Sequence, residues 1–123
     1  MREEVRPAML ATIDPARDAL VAVDVQPDFM PGGALPVPGG DAVVPVVNRL
    51  LDLFAVAAAT QDWHPAGHLS FASSHPGAAP FSRVAAPYGE QTLWPDHCVQ
   101  GTPGAALHPG LRTERFAAVL RKG

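Results

Sequence analysis

The 123-residue chain is at most one domain, with enough residues for a core but few for a complete multi-stranded α/β enzyme. Its 9 basic and 12 acidic residues give a formal charge of -3, and no run of like charge could hold a nucleic-acid backbone. The charged start and the short apolar segments argue against a membrane span or a signal peptide, and the single cysteine fits a reducing compartment. We therefore expect a soluble cytoplasmic protein with no nucleic-acid or membrane partner.

The first apolar run predicts a buried strand. Residues 1–18 show no sustained apolar period, so we expect a loose N-terminal extension before a domain that spans residues 19–123. Residues 19–25 form a nearly continuous β-favouring run, typical of a strand buried on both faces of a parallel sheet. Asp24 interrupts the run near its carboxyl end, where open parallel sheets place their ligands. This carboxylate predicts a functional group; the alternative is that it accepts N–H groups of the following loop.

A helix and two further strands are predicted after the first one. Asp41 is placed to cap a helix whose apolar residues fall at helical spacing, namely Val43, Val47, Leu50, Leu51 and Phe54. Residues 55–60 predict the second strand, and residues 116–121 predict the third, with Lys122 at its carboxyl end. Strands separated by segments of crossover length predict an α/β fold, a Rossmann-like parallel sheet wound with helices.

The connection between the second and third strands is long and rich in proline and glycine. Residues 65–95 show no clear secondary-structure pattern, and loops of this length are commonly lids or flaps. His75 within this connection and His108 further along are most simply interpreted as surface residues of loops.

Two polar clusters predict a metal site. Asp62 and His64 are two residues apart, so in an extended segment both side chains point to the same side. His68 follows four residues later, and His97 lies in the second cluster. Imidazole and carboxylate ligands with open positions suit a catalytic divalent ion. The alternative is that Asp62 caps the next turn and His64 is an ordinary loop histidine.

These groups are expected to meet. The carboxyl ends of parallel strands share one edge of a sheet, and that edge would carry Asp24, the Asp62 and His64 pair, and Lys122. A carboxylate for acid–base work, a cation and a metal make a hydrolytic set that lacks a nucleophile.

Five motifs in the same order resemble those of one known family. They are Asp-Val-Gln-Pro-Asp-Phe at 24–29, Pro-Gly-Gly-Ala-Leu at 31–35, Gln-Asp-Trp-His-Pro-Ala-Gly-His at 61–68, Leu-Trp-Pro-Asp-His-Cys-Val-Gln-Gly-Thr-Pro-Gly at 93–104 and Arg-Lys-Gly at 121–123. From about residue 19 to the last residue, the chain resembles bacterial nicotinamidases/pyrazinamidases of the isochorismatase-like cysteine hydrolase superfamily.

The resemblance implies a reaction and roles for individual residues. The small-molecule substrate would be nicotinamide, hydrolysed to nicotinate and ammonia through a cysteine thioester, a step of NAD salvage. Asp24 would take the thiol proton and deliver it to the departing ammonia, and Lys122 would favour the thiolate. Phe29 and Trp94 would sandwich the substrate ring, although a core aromatic is the alternative for Trp94.

The resemblance also implies one divalent metal ion. Zn²⁺ is the expected ion, with Fe²⁺ or Mn²⁺ as alternatives. The implied ligands are Asp62, His64 and His97, joined in some members of the family by His68.

The departures from the family pattern limit these expectations. Pro27 stands where many members have asparagine, a loop change that we expect to be tolerated. The family's nucleophilic cysteine and oxyanion donors lie beyond residue 123, and Cys98 does not match the nucleophile. We therefore expect an N-terminal portion of the hydrolase domain, truncated after about the third strand, inactive and marginally folded alone. The alternatives are another small-amide hydrolase of the superfamily and a non-catalytic metal-binding protein.

Overall fold

The protein is built around a parallel sheet, and the computed structural model describes residues 12–123. In chain order its helix and strands are β1 (Ala19–Val23), α1 (Val43–Leu51), β2 (Val56–Asp62), β3 (Arg83–Ala86), β4 (Gly89–Thr92) and β5 (Ala118–Lys122). The sheet has the order β1-β2-β5 with all neighbours parallel, while β3 and β4 form a separate antiparallel pair. The parallel α/β fold predicted from the sequence is confirmed.

The strand register is staggered at the carboxyl edge of the sheet. Val23, the last residue of β1, pairs with Thr60, whereas β2 continues until Asp62 pairs with Lys122 of β5. β1 therefore leaves the sheet two residues before its neighbour ends.

β1 is shorter and more exposed than predicted. It ends at Val23, and the two valines on one of its faces, Val21 and Val23, are 55% and 63% exposed. Leu20 and Ala22 alternate with them and pack into the core beside α1. The prediction of burial on both faces is wrong for the described residues. α1 covers the face of Leu20 and Ala22, and no described element covers the face of Val21 and Val23.

The predicted helix exists, but it begins and ends differently. Asp41 lies inside a 3₁₀ turn, Gly40–Ala42, and makes no capping hydrogen bond, so the predicted cap is wrong. The residue before the helix, Ala42, already has helical φ and ψ values of -63° and -18°, whereas a capping side chain needs an extended backbone. Phe54 lies beyond the end of α1 at Leu51.

β2 and β5 each extend into polar sequence. The apolar runs at residues 55–60 and 116–121 predicted the strands, but pairing continues through Asp62 and Lys122. Backbone hydrogen bonds between strands do not depend on side-chain polarity, so both strands continue past the ends of the apolar runs.

The long connection at residues 65–95 contains regular structure, contrary to the prediction. It holds the β3–β4 hairpin, whose last pair is Ala86 with Gly89, and a 3₁₀ turn at Ala72–Ser74. Pro87 occupies the first corner of the hairpin turn, the position at which proline's fixed φ is favourable, and Gly89 follows with a φ of 129°.

His75 and His108 both form local contacts in loops. The Nε2 atom of His75 lies 2.7 Å from the carbonyl oxygen of Leu69, and the Nδ1 atom of His108 accepts a hydrogen bond from the Gly110 N–H at 2.9 Å. Each lies in a loop, as predicted, and is partly exposed to solvent.

The core lies between β1, α1 and the loop that precedes β5. Leu51, at the end of α1, is 1% exposed there. The buried members of the core are Ala22, Val25, Met30, Val44, Val47, Leu51, Ala57 and Leu111.

The predicted N-terminal extension falls largely outside the described residues. Residues 1–11 are not described, and a turn at residues 15–17 leads into β1. Within residues 12–123, no helix is long and apolar enough to cross a membrane.

The core position of Leu51 generates a stability prediction. Leu51→Ala should lower the free energy of unfolding by about 2–5 kcal/mol, because it removes buried methyl groups and leaves a cavity. Urea denaturation of the complete protein measures this change. Leu53→Ala is the matched control, since Leu53 is 48% exposed and should change the unfolding free energy little. Equal effects of the two substitutions would contradict this assignment of the core.

Candidate active site

Three ionisable residues meet at the carboxyl edge of the sheet. Asp24 follows the last residue of β1, and Asp62 pairs with Lys122 at the ends of β2 and β5. The Lys122 Nζ atom donates a hydrogen bond to Asp24 Oδ2 at 2.7 Å and lies 3.6 Å from Asp62 Oδ1. One ammonium group therefore contacts both carboxylates.

The two carboxylates keep Lys122 charged. Burial lowers the pKa of Lys122, but its hydrogen bond to Asp24 and the negative charges of Asp24 and Asp62 raise it, and the net result is a pKa above the ordinary value. An ammonium that stays protonated supplies a fixed positive charge at this edge of the sheet.

Asp24 is oriented by its own backbone and by Thr60. Its φ of 54° lies in the left-handed region, which aspartate tolerates better than most residues. The Thr60 hydroxyl donates to Asp24 Oδ1 at 2.7 Å, and the Asp24 N–H lies 3.1 Å from both the carbonyl and the hydroxyl oxygen of Thr60. The carboxylate thus has one oxygen on Thr60 and the other on Lys122.

A second group contains Asp62, His64 and His97, all of them buried. Asp62 Oδ2 lies 3.2 Å from the Nε2 atom of His97 and 3.5 Å from the Nδ1 atom of His64. The Nδ1 atom of His97 lies 2.7 Å from the Pro95 carbonyl oxygen. Because a carbonyl can only accept, Nδ1 of His97 carries a proton. In the neutral tautomer, Nε2 then holds the lone pair that can bind a metal ion.

The three residues fit a divalent metal ion. The Nδ1 atom of His64 is buried and has no hydrogen-bond partner among residues 12–123. Burial lowers the pKa of His64 more than the charge of Asp62 raises it, so the ring is neutral and its contact with Asp62 is not an ion pair. Two imidazoles and a carboxylate form a ligand set that Zn²⁺, Fe²⁺ and Mn²⁺ accept.

Gly123 leaves space beside this group. Its φ is 103°, and a Cβ atom there would lie 2.7 Å from Asp62 Oδ1 and 3.0 Å from His64 Nε2. A side chain at this position would occupy the space next to two of the candidate ligands.

His68 lies next to the group but outside it. Its ring centroid is 4.7 Å from that of His64, while its Nδ1 atom is 2.7 Å from the Ser70 hydroxyl and accepts the Ser70 N–H at 3.1 Å. Ser70 therefore occupies one of the two nitrogens of His68.

The two predicted substrate-binding aromatics have different surroundings. The Phe29 ring centroid lies 5.7 Å from that of His97, at the candidate metal group. Trp94 packs edge-on against Phe81, with 6.0 Å between ring centroids. Phe29 therefore borders His97 directly, and Trp94 is partly buried against a residue that the sequence analysis did not single out.

Cys98 is unsuited to nucleophilic attack. Its side chain is fully buried, and burial, together with the negative charges of Asp62 and Asp28, raises the pKa of the thiol to about 12. A thiol in this environment stays protonated and out of contact with solvent.

The sequence did not identify three polar residues that hold this site together. Thr60 orients Asp24, Gln26 hydrogen-bonds the backbone of Asp62, and Asp28 accepts the N–H of Cys98. Gln26 carried a usable signal, since it is an uncharged polar residue that directly follows the apolar run of residues 19–25 and is close to Asp24.

The chain is similar to known proteins of one family. Residues 18–122 match the isochorismatase domain family. A nicotinamidase of Acinetobacter baylyi is 51% identical over 105 residues, which cover 85% of this chain and 49% of that relative. The structure of an Acinetobacter baumanii nicotinamidase/pyrazinamidase matches with a TM-score of 0.82 and 48% identity, over 85% of this chain and 51% of that chain.

A third relative carries a metal. The crystal structure of a Pyrococcus horikoshii pyrazinamidase in complex with zinc matches with a TM-score of 0.65 and 41% identity, over 85% of this chain and 51% of that chain. The chain spans about half the length of the relatives that it matches. Because the family match covers most of the chain and includes every residue at the sheet edge up to Lys122, the protein belongs to the isochorismatase family, where it is similar to nicotinamidases.

Proposed function

We propose that the complete protein hydrolyses nicotinamide to nicotinate and ammonia. The observation that carries this proposal is the Asp24–Lys122 pair, held at 2.7 Å beside the Asp62, His64 and His97 group. The 51% identity with the nicotinamidase of Acinetobacter baylyi supports this substrate. The proposal concerns the complete protein, since this chain spans about half of that relative.

Asp24 acts as the proton carrier of the reaction. It accepts the proton of a cysteine thiol, and the resulting thiolate attacks the amide carbonyl carbon. The carbon–nitrogen bond then breaks, and the nitrogen leaves as ammonia with the proton that Asp24 held. Water cleaves the thioester, which releases nicotinate and restores the thiol. The attacking cysteine is not Cys98, whose thiol is buried and protonated.

Lys122 supports the same steps through its charge. A nearby ammonium lowers the pKa of a thiol and so increases the fraction of thiolate. Its hydrogen bond to Asp24 Oδ2 leaves the other carboxylate oxygen on Thr60, so the carboxylate cannot rotate freely.

Asp62, His64 and His97 would hold a divalent ion, with His68 as a further candidate ligand. Zn²⁺ is the proposed ion, supported by the zinc of the Pyrococcus horikoshii relative, with Fe²⁺ or Mn²⁺ as alternatives. When bound, such an ion supplies positive charge and open coordination positions for water and a pyridine nitrogen.

Phe29 and Trp94 would contact the substrate ring. Phe29 is next to His97, which supports a position for the pyridine ring close to the histidines. Aromatic faces stack favourably on an aromatic heterocycle.

The metal assignment predicts a change in metal content. Asp62→Ala and His97→Ala should each remove most of the bound ion from the complete protein, because each deletes one of three ligands. His68→Ala should remove less, since His68 lies outside the group formed by Asp62, His64 and His97. Metal analysis of the purified variants by mass spectrometry measures this. Full metal content in both Asp62→Ala and His97→Ala would show that the ligands lie elsewhere.

The proposed proton carrier predicts an order of activities. Asp24→Ala should lower the rate of ammonia release from nicotinamide by about 10²–10⁴-fold, the range typical of a positioned acid–base group. Cys98→Ser should keep most of the activity, because the buried thiol takes no part in the reaction. A loss in Cys98→Ser as severe as that in Asp24→Ala, together with loss of thiol labelling, would make Cys98 the nucleophile.

The contact between Thr60 and Asp24 predicts a positioning effect. Thr60→Val should lower kcat about tenfold or more, because it removes a hydrogen bond to a charged carboxylate without changing the side-chain shape. KM should change little, since Thr60 would not touch the substrate. Thr60→Ser keeps the hydroxyl and should retain most of the turnover. Equal kcat values for the valine and serine variants would exclude this role for the hydroxyl.

A further inference from the structure

Gln26 completes the sheet where β1 has left it. β1 pairs with β2 as far as Thr60, and the Asp24 N–H still bonds the Thr60 carbonyl oxygen. Two residues further, the Asp62 N–H and C=O face the same side, where β1 no longer supplies a backbone partner. The Asp62 N–H donates to Gln26 Oε1 at 2.8 Å, and Gln26 Nε2 donates to the Asp62 carbonyl oxygen at 2.8 Å. A side-chain amide thus replaces one backbone unit of the strand.

The Gln26 amide is fixed in one orientation. The side chain is fully buried, and its Nε2 atom also donates to the Ala105 carbonyl oxygen at 2.8 Å. Both carbonyl oxygens, on Asp62 and Ala105, can only accept, so the nitrogen of the amide must face them and the oxygen must face the Asp62 N–H. Rotating the amide would break all three hydrogen bonds.

Asp28, on the same loop, holds a second segment of the site. Its Oδ2 atom accepts the Cys98 N–H at 2.7 Å, directly after His97 in the chain. Cys98 has a φ of 48°, a conformation that few residues other than glycine adopt, so this hydrogen bond stabilises an unfavourable backbone. Gly104 approaches the Asp28 carboxylate so closely that a Cβ atom there would overlap it.

We propose that Gln26 and Asp28 are positioning residues for the metal centre, Gln26 through the backbone of Asp62 and Asp28 through the backbone that follows His97. The inference deepens the proposed function and rests on its metal site. The loop after β1 therefore sets the separation of two ligands that come from distant parts of the chain. Hydrogen-bond partners that orient metal ligands typically change metal affinity about 10–100-fold when they are removed.

The structure offers a matched control for Gln26. Gln61 is the same residue type, is also buried, and its Nε2 atom donates to the same Ala105 carbonyl oxygen at 2.8 Å. Its Oε1 atom accepts a hydrogen bond from Arg121 Nε at 3.3 Å and none from the Asp62 backbone. Removing this side chain therefore costs a buried hydrogen bond to the same carbonyl oxygen but leaves the backbone contacts of Asp62 in place.

The test is a Co²⁺ titration of the complete, metal-free protein and its variants. Co²⁺ reports the arrangement of its ligands through its visible absorption bands, and no substrate is present. Gln26→Met should raise the Kd for Co²⁺ about 10–100-fold and change the absorption bands. Gln61→Met should leave both as in the unaltered protein. Thermal unfolding of each variant, measured in parallel, separates loss of the fold from loss of ligand alignment.

Asp28 supplies an independent pair of variants should Gln26→Met fail to fold. Asp28→Asn keeps an oxygen that can accept the Cys98 N–H and should retain Co²⁺ affinity near that of the unaltered protein. Asp28→Ala removes this acceptor and should raise the Kd about 10–100-fold. Equal affinities and spectra for the alanine and asparagine variants would overturn the role of Asp28.

The outcomes separate this inference from the proposed function. If Gln26→Met and Gln61→Met give the same Kd and spectrum, the role of Gln26 is wrong while the metal site stands. If the unaltered protein does not bind Co²⁺ at all, the metal site of the proposed function is wrong and the inference is overturned with it. Failure to hydrolyse nicotinamide would refute the proposed substrate but not the roles of Gln26 and Asp28, because the Co²⁺ titration is carried out without substrate.

Discussion

The stagger between β1 and β2 is the constraint on which the site depends. β1 pairs with β2 only as far as Thr60, whereas β2 continues for two more residues, to Asp62. Asp24 therefore lies beside Thr60, and the candidate metal ligand Asp62 lies two residues further along β2. Lys122 contacts both carboxylates, at 2.7 Å from that of Asp24 and 3.6 Å from that of Asp62. With β1 as long as β2, backbone would fill the space that the Gln26 side chain now uses.

One ammonium does not balance the two carboxylates at this edge. Around Lys122, two carboxylates face one ammonium, which leaves one negative charge in excess. Asp62 is buried, and burial lowers the pKa of the neighbouring His64, so that ring brings no compensating charge. Charges taken out of water are costly unless an opposite charge lies close by. A divalent ion held by His64, His97 and Asp62 would bring two positive charges beside the buried carboxylate, so its binding and the burial of Asp62 would support each other.

Local sequence patterns predicted the sheet and its functional edge, but not the contacts that align them. Apolar runs mark strands, and the shared edge of parallel strands follows from topology, so Asp24 and Lys122 could be assigned to one edge in advance. The roles of Gln26 and Asp28 depend on backbone groups 36 and 70 residues away in the chain, and no local pattern encodes such a partner. The exposed face of β1 was missed because an apolar run does not reveal which of its faces is covered. The β3–β4 hairpin was missed because each of its strands has only four residues and β4 has no apolar residue.

Gly104 contacts the site although it has no functional side chain. A methyl group on its Cα atom would overlap the Asp28 carboxylate. The steric requirement at this glycine therefore links the loop around Pro103–Ala105 to the Asp28 carboxylate and, through that carboxylate, to the backbone that follows His97.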